Sequence, residues 1–144
     1  MGCCYSIDIK NISDDEIKSI PNFSLHGIQT NCKVERLIDG DTFVGCIVLD
    51  GKVRKFRFRL NGLDCYEIHS KEQHKKLLAD KGLEFSSTFI FKNKNVVFIE
   101  CFKFDKYGRV LCNVYSDKSK SKLLNSQLIE KGFAVVYDGG KKTI

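Results

Sequence analysis

The chain has 144 residues, of which 42% are apolar and 29% charged; this balance fits one globular domain and excludes a disordered polyelectrolyte. Eleven glycines and one proline exclude a collagen-like or low-complexity chain, and no apolar run reaches the roughly 18–20 residues of a membrane span. The formal net charge of +6 is uneven: residues 1–30 hold two lysines against Asp8, Asp14, Asp15 and Glu16, which leaves the rest with 22 basic and 14 acidic residues. A basic body suits polyanionic partners, either nucleic acid or an anionic membrane face, and equally describes a Lys-rich solvated surface. Seven cysteines with no C-x-x-C spacing argue against a zinc site or a disulfide framework and for reduced thiols. No basic start followed by an apolar stretch marks a secretory signal, so the chain is expected to stay inside the cell.

The first residues are Met-Gly-Cys-Cys-Tyr-Ser. Gly2 and Ser6 fit the N-myristoylation pattern, and Cys3 and Cys4 are candidates for palmitoylation. One acyl chain binds a membrane marginally and two bind it stably, so the expectation is a lipid anchor on the cytoplasmic face of a membrane. Residues 7–31 read as a spacer. Within it, Asn11–Ile20 carries a Ser13-x-x-Glu16 capping box and ends before Pro21. His26 reads as a surface residue.

The pattern changes at Cys32. Lys33–Ile38, Thr42–Leu49 and Val53–Leu60 predict three strands in a meander, with Asp50-Gly51 as a hairpin turn. In the third, Phe56, Phe58 and Leu60 share one face and Lys55, Arg57 and Arg59 the other. Lys71–Lys92 predicts a helix with a stripe of Leu83, Ser87 and Ile90 flanked by Phe85 and Phe89. Val96–Phe102 and Val110–Tyr115 return to strand character. Lys122–Lys131 predicts a second helix stopped by Gly132, and Phe133–Tyr137 a last short apolar run. Five short strands with an inserted helix point to an α+β, mainly β fold: a partly open, five-stranded OB-like barrel with two or three helices. The expected organisation is an N-terminal anchor and spacer (1–31), a barrel domain (32–137) and a flexible tail (138–144).

Three charged segments fall at strand junctions: Asp39-Gly-Asp41-Thr, Arg59-x4-Asp64-x2-Glu67 and Asp105-Lys-Tyr-Gly-Arg109. Each alone reads more readily as a turn. Together they supply the parts of phosphodiester hydrolysis: carboxylate oxygens for a hard cation, a carboxylate base for water, and guanidinium forks for the charge that builds on phosphorus.

In order and spacing, these segments resemble the staphylococcal nuclease family over about Cys32 to Tyr137. The resemblance implies Ca²⁺ held by Asp41, Asp64 and the main-chain carbonyl of Cys65, with Mg²⁺ or Mn²⁺ as alternatives. It implies Glu67 as general base or water positioner, Arg59 and Arg109 as phosphate-binding arginines, and Lys106 and Tyr107 as lining of the nucleotide pocket. The implied reaction is hydrolysis of DNA and RNA, single strands preferred, with little sequence specificity and 3′-phosphate ends, by a monomer. Two features depart from the family pattern. Tyr66 replaces the usual proline before Glu67, and the chain lacks the long C-terminal helix of secreted nucleases; the N-terminal segment is expected to cover the surface thus exposed.

Three rival readings stand beside the enzyme. The first is a nuclease-like barrel that binds without cutting. The second is a membrane-docked scaffold whose basic face serves anionic lipid. The third is a zinc or redox protein built on Cys46, Cys101 and Cys112, which read more simply as core packing. His69 and His74 lie near Glu67 in sequence and read as surface residues.

Overall fold

A computed structural model of the chain describes residues 6–138 and 140. After a single 3-10 turn, helix α1 (Asp14–Ser19) begins where the Ser13 hydroxyl accepts the Glu16 amide at 3.1 Å. Asp14, Asp15 and Glu16 occupy its positive end. It buries nothing, and residues 6–24 expose every side chain except half-buried Ile12. The chain then turns inward. Leu25 is fully buried in the core, the Gly27 amide donates to the Cys101 carbonyl, and the Cys101 amide to that of Ile28. The barrel therefore recruits residues upstream of position 32, and the last third of the expected spacer belongs to it.

Strand β1 (Gln29–Asp39) pairs with β2 (Thr42–Leu49), and β2 with β3 (Lys52–Leu60), both antiparallel. The β2–β3 hairpin turns on Asp50 and Gly51, both in the left-handed region at φ 53° and 75°, as a two-residue hairpin loop requires. Phe43 and Phe58 stack at 5.2 Å on the inward face, with Ile47 and Leu60 buried beside them. Lys55 and Arg57 face outward and are exposed. β4 (Leu63–Cys65), α2 (Gln73–Phe91) and β5 (Val96–Phe104) then form a crossover that returns β6 (Val110–Tyr115) parallel to β3. β5 pairs with both β6 and β1, which closes a five-stranded barrel in the order β1-β2-β3-β6-β5.

The barrel is closed where a partly open one was expected, and two further details differ. The buried stripe of α2 is Ala79, Gly82, Ser86 and Ile90 rather than Leu83, Ser87 and Ile90. Small residues win because the helix lies close to its neighbours: a Cβ on Gly82 would stand 3.3 Å from that of Phe133. β4 was not foreseen. It is three residues long, and its partner β7 (Ala134–Val136) follows α3 (Leu124–Glu130) some 70 residues later. Gly132, at φ 77°, ends α3 as predicted, with its amide on the Ile129 carbonyl and that of Phe133 on Leu128.

Cys101 and Cys112 face each other across β5 and β6, fully buried with Cys32. Burial pushes the Cys32 thiol up to about 12 and that of Cys101 up to about 11. All five described cysteines are free. Cys101 and Cys112 are buried in the core, the packing role expected of them, and Cys46 is half-buried on β2. No described helix is long and apolar enough to cross a membrane.

Candidate active site

One end of the barrel opens into a cleft of about 1140 Å³. Its lining includes every site residue carried by the three charged segments: Asp41, Arg59, Asp64, Cys65, Glu67, Lys106, Tyr107 and Arg109. Gly2, Cys3 and Cys4 lie outside the described residues.

The first wall is built from four elements. Asp41 sits in the β1–β2 turn. Its Oδ1 accepts the Thr42 hydroxyl and its Oδ2 the Cys65 amide, each at 3.0 Å, while its own amide donates to Asp39 Oδ1 at 3.1 Å. The turn is fixed from behind. The Ser86 hydroxyl of α2 donates to the Gly40 carbonyl at 2.7 Å, and a Cβ on Gly40 would stand 3.0 Å from Cys65 Sγ and 3.4 Å from the Gly82 backbone. A side chain there would press Cys65 aside by a few tenths of an ångström. Arg59, at the end of β3, directs Nη2 onto Asp64 Oδ1 and stands 3.8 Å from Asp41 Oδ2. Its guanidinium lies 5.4 Å from the Tyr137 ring centroid. Asp64 is presented by β4, which β7 pins through the Asp64–Val135 pair.

Electrostatically this wall is a coupled acidic pair with one guanidinium. Burial pushes Asp39 up to about 7, and its hydrogen bond with Asp41 reinforces the rise. Burial also pushes Asp41 upward, but the Asp39 side chain, the Cys65 amide and Arg59 outweigh it and hold that carboxyl below its ordinary value. Asp41 is thus the ionised member, and Asp39 retains the proton over most of the acidic range. Burial pushes the Cys65 thiol upward, so it stays neutral between these charges.

The second wall is a self-contained turn. Asp105 Oδ1 accepts the Tyr107 amide at 2.8 Å and the Arg109 amide at 2.9 Å, and its Oδ2 accepts Arg109 Nε at 2.7 Å. Gly108, at φ 78°, lets the loop close with its amide on the Asp105 carbonyl. Tyr107 is 69% exposed, a ring offered to solvent with Lys106 and Arg109 each 5.2 Å from its centroid. Glu67 is exposed on the loop after β4, two residues beyond Cys65, where its carbonyl accepts the Ser70 amide.

The structure thus assembles all eight residues, and adds two that sequence reasoning did not assign. Asp39 was visible in its motif, but its burial was not. Tyr137 had no signal before β7 was placed. His26, His69 and His74 are exposed, as expected. Among the described residues no group of three or more His, Cys, Asp or Glu side chains is placed to hold a metal. The donor set that remains is two buried carboxylates sharing Arg59, and hard oxygen donors of this kind suit Ca²⁺, Mg²⁺ or Mn²⁺.

Among the described residues, a closed, mixed five-stranded barrel with three α-helices, whose cleft holds two guanidiniums facing carboxylates, defines an OB-like α+β protein. The chain belongs to the family described as staphylococcal nuclease homologue, whose model matches residues 57–143. That match includes Arg59, Asp64, Glu67 and Arg109 and begins after Asp41. No curated protein matches the chain.

Proposed function

We propose that the chain is a metal-dependent phosphodiesterase that hydrolyses DNA and RNA, preferring single strands, with little sequence selectivity. The observation that carries this reading is the convergence of the three charged segments on one cleft. Asp41, Asp64 and the Cys65 carbonyl would hold the cation, Ca²⁺ first and Mg²⁺ or Mn²⁺ as alternatives. The bound ion would supply Lewis-acid polarisation of a phosphoryl oxygen.

The protein's own groups do the rest. Arg109 presents its fork to a phosphate. Arg59 neutralises charge that accumulates on the pentacoordinate phosphorus. Glu67 takes a proton from the attacking water as the new P–O bond forms. Scission of the bond to the 5′ oxygen, which takes up a proton from water, then leaves a 3′-phosphate and a 5′-hydroxyl. Tyr107 gives a stacking platform that reads no base edge, which accounts for weak sequence preference.

The test is cleavage of single-stranded DNA and RNA by the purified chain with Ca²⁺, Mg²⁺, Mn²⁺ or EDTA, beside Glu67→Gln. Metal-dependent cutting that falls by about 10²–10⁴ in Glu67→Gln, with binding little changed, supports the reading. Equal turnover by the two proteins would remove Glu67 from the mechanism. A catalytically weak, binding-only module is the second reading. It is favoured by the exposed position of Glu67 on a loop without the family's proline, since a misplacement of about 1 Å costs on the order of a hundredfold.

We also propose that Gly2, Cys3 and Cys4 carry acyl groups that hold the enzyme at a membrane's cytoplasmic face. The exposed side chains of residues 6–24 suit a tether. Intact-mass analysis of protein from its own cells showing no acyl groups would remove the anchor.

A further inference from the structure

The outer face of the first three strands carries cations in ranks that lead away from the cleft. Directly opposite residues in an antiparallel ladder share a face, so the register defines the ranks. The first is Asp39–Thr42–Arg59, which is the cleft rim. Next comes Arg36–Val44–Arg57, and then Lys33–Cys46–Lys55. Each of these two ranks sets one cation on either side of a small β2 residue.

All four cations are exposed, whereas Val44 between them is only 7% exposed. The result is a shallow floor along β2 with positive charge on both banks. Glu35 opposes them, 3.0 Å from Lys55 Nζ and 4.0 Å from Arg36 Nε, so four positive charges face one negative. The ranks also meet the second wall of the cleft. Phe58 pairs in parallel with Val110, so Arg57 on β3 and Arg109, the residue just before β6, precede the same rung of the seam.

Resting on the phosphodiesterase reading, we propose that this face is the run-out track for the nucleic-acid strand whose target phosphate lies between Arg59 and Arg109. Arg57 and Lys55 are alternate residues of β3 and recur about every 6.8 Å, while on β1 a bulge between Val34 and Arg36 keeps Arg36 and Lys33, three residues apart, in the same ranks, so each rank offers a further phosphate a pair of cations. Two banks that converge on a cleft fit a linear polyanion better than a flat lipid headgroup layer. The expected contacts are to phosphate alone, so the track adds affinity and salt dependence without sequence preference.

The experiment is fluorescence anisotropy of the full chain in EDTA, with labelled oligothymidylates of about three and about twelve nucleotides, between about 50 and 200 mM KCl. The double variant Arg36→Gln/Arg57→Gln is expected to bind the long strand five- to tenfold more weakly. Its salt slope falls by about 1.4, from two lost contacts at about 0.7 each. Binding and metal-dependent cutting of the short strand stay at wild-type level, and Arg36→Lys/Arg57→Lys restores the slope. An unchanged slope, or equal loss on both lengths, overturns the proposal. So does loss of binding to phosphatidylserine vesicles with long-strand binding intact, which would assign the face to a bilayer. Failure of the enzymatic reading shows separately, as a wild type that cuts neither strand in any metal while the length-dependent slope change persists.

Discussion

The cleft holds two arginine–carboxylate pairs of nearly equal sequence spacing, and they are built in opposite ways. Asp105 and Arg109 lie four residues apart and complete one turn: the carboxylate accepts two amides and a guanidinium from its own loop. Arg59 and Asp64 lie five apart, yet their contact depends on β3, on the β4–β7 ribbon, on the Asp41 turn and on α2 behind that turn. Side-chain exposure follows: 11% and 6% for Arg59 and Asp64, against 23% and 14% for Arg109 and Asp105. A buried pair cannot lose one member cheaply, because the other is left charged in a poor solvent. A local, partly wet pair can exchange its partner for a phosphate at small cost. One wall is thus a buried electrostatic frame held by distant elements, the other a more exposed turn held by its own loop.

Removing Arg59 should separate the two most sharply. Arg59→Ala leaves Asp41 and Asp64 without their cation and is expected to cost about 3–5 kcal/mol of stability, read by urea denaturation, with cleavage abolished. Asp105→Asn is milder, at about 1–2 kcal/mol, with roughly tenfold slower cleavage as Arg109 loses its rest position; a loss equal to that of Arg59→Ala would end the distinction. The same variant carries a pH signature. Burial pushes Asp105 upward, but the Arg109 and Tyr107 contacts outweigh it and hold its carboxyl below the ordinary value. Its stabilisation is therefore full above the unfolded value near pH 4 and is lost as the pH falls through the lower folded value. Urea midpoints from about pH 6 down to about pH 3 should fall less steeply in Asp105→Asn than in the wild type. Ser86→Ala should have the smallest effect, about 1 kcal/mol and a few-fold drop in cleavage, because it loosens the Asp41 turn without touching any charge. A thermal melt beside a cleavage assay checks both.

The same division explains what the sequence disclosed. Alternating residues in Thr42–Leu49 and Val53–Leu60, the Asp50-Gly51 turn and the Gly132 stop are local signals, and the structure follows them to within a residue or two. The Asp105–Arg109 turn is equally local. What stayed hidden depends on distance between elements. β4 has three residues and acquires its identity from β7. Leu25 lies in a polar stretch and is buried only because the chain crosses β5 there. The stripe of α2 was misassigned because large side chains usually mark a buried face, whereas this helix approaches the Asp41 turn so closely that Ala79, Gly82 and Ser86 are what fits. Arg59 was legible as a phosphate ligand by resemblance, but its pairing with both metal-type carboxylates follows from the fold alone.

The parallel seam between β3 and β6 has a consequence for biosynthesis. Asp41, Arg59, Asp64 and Glu67 leave the ribosome well before Lys106, Tyr107 and Arg109, and the two groups meet only when β6 docks beside β3 across the β5 crossover. Pairings between segments so far apart are slow to form, because loop-closure entropy precedes the contacts that offset it. A growing chain therefore has neither wall complete: Arg109 arrives with β6, and β7, which pins Asp64, is made later still. For a protein proposed to attack nucleic acid without regard to sequence, the order of the strands delays the complete cleft until β6 and β7 have both been made.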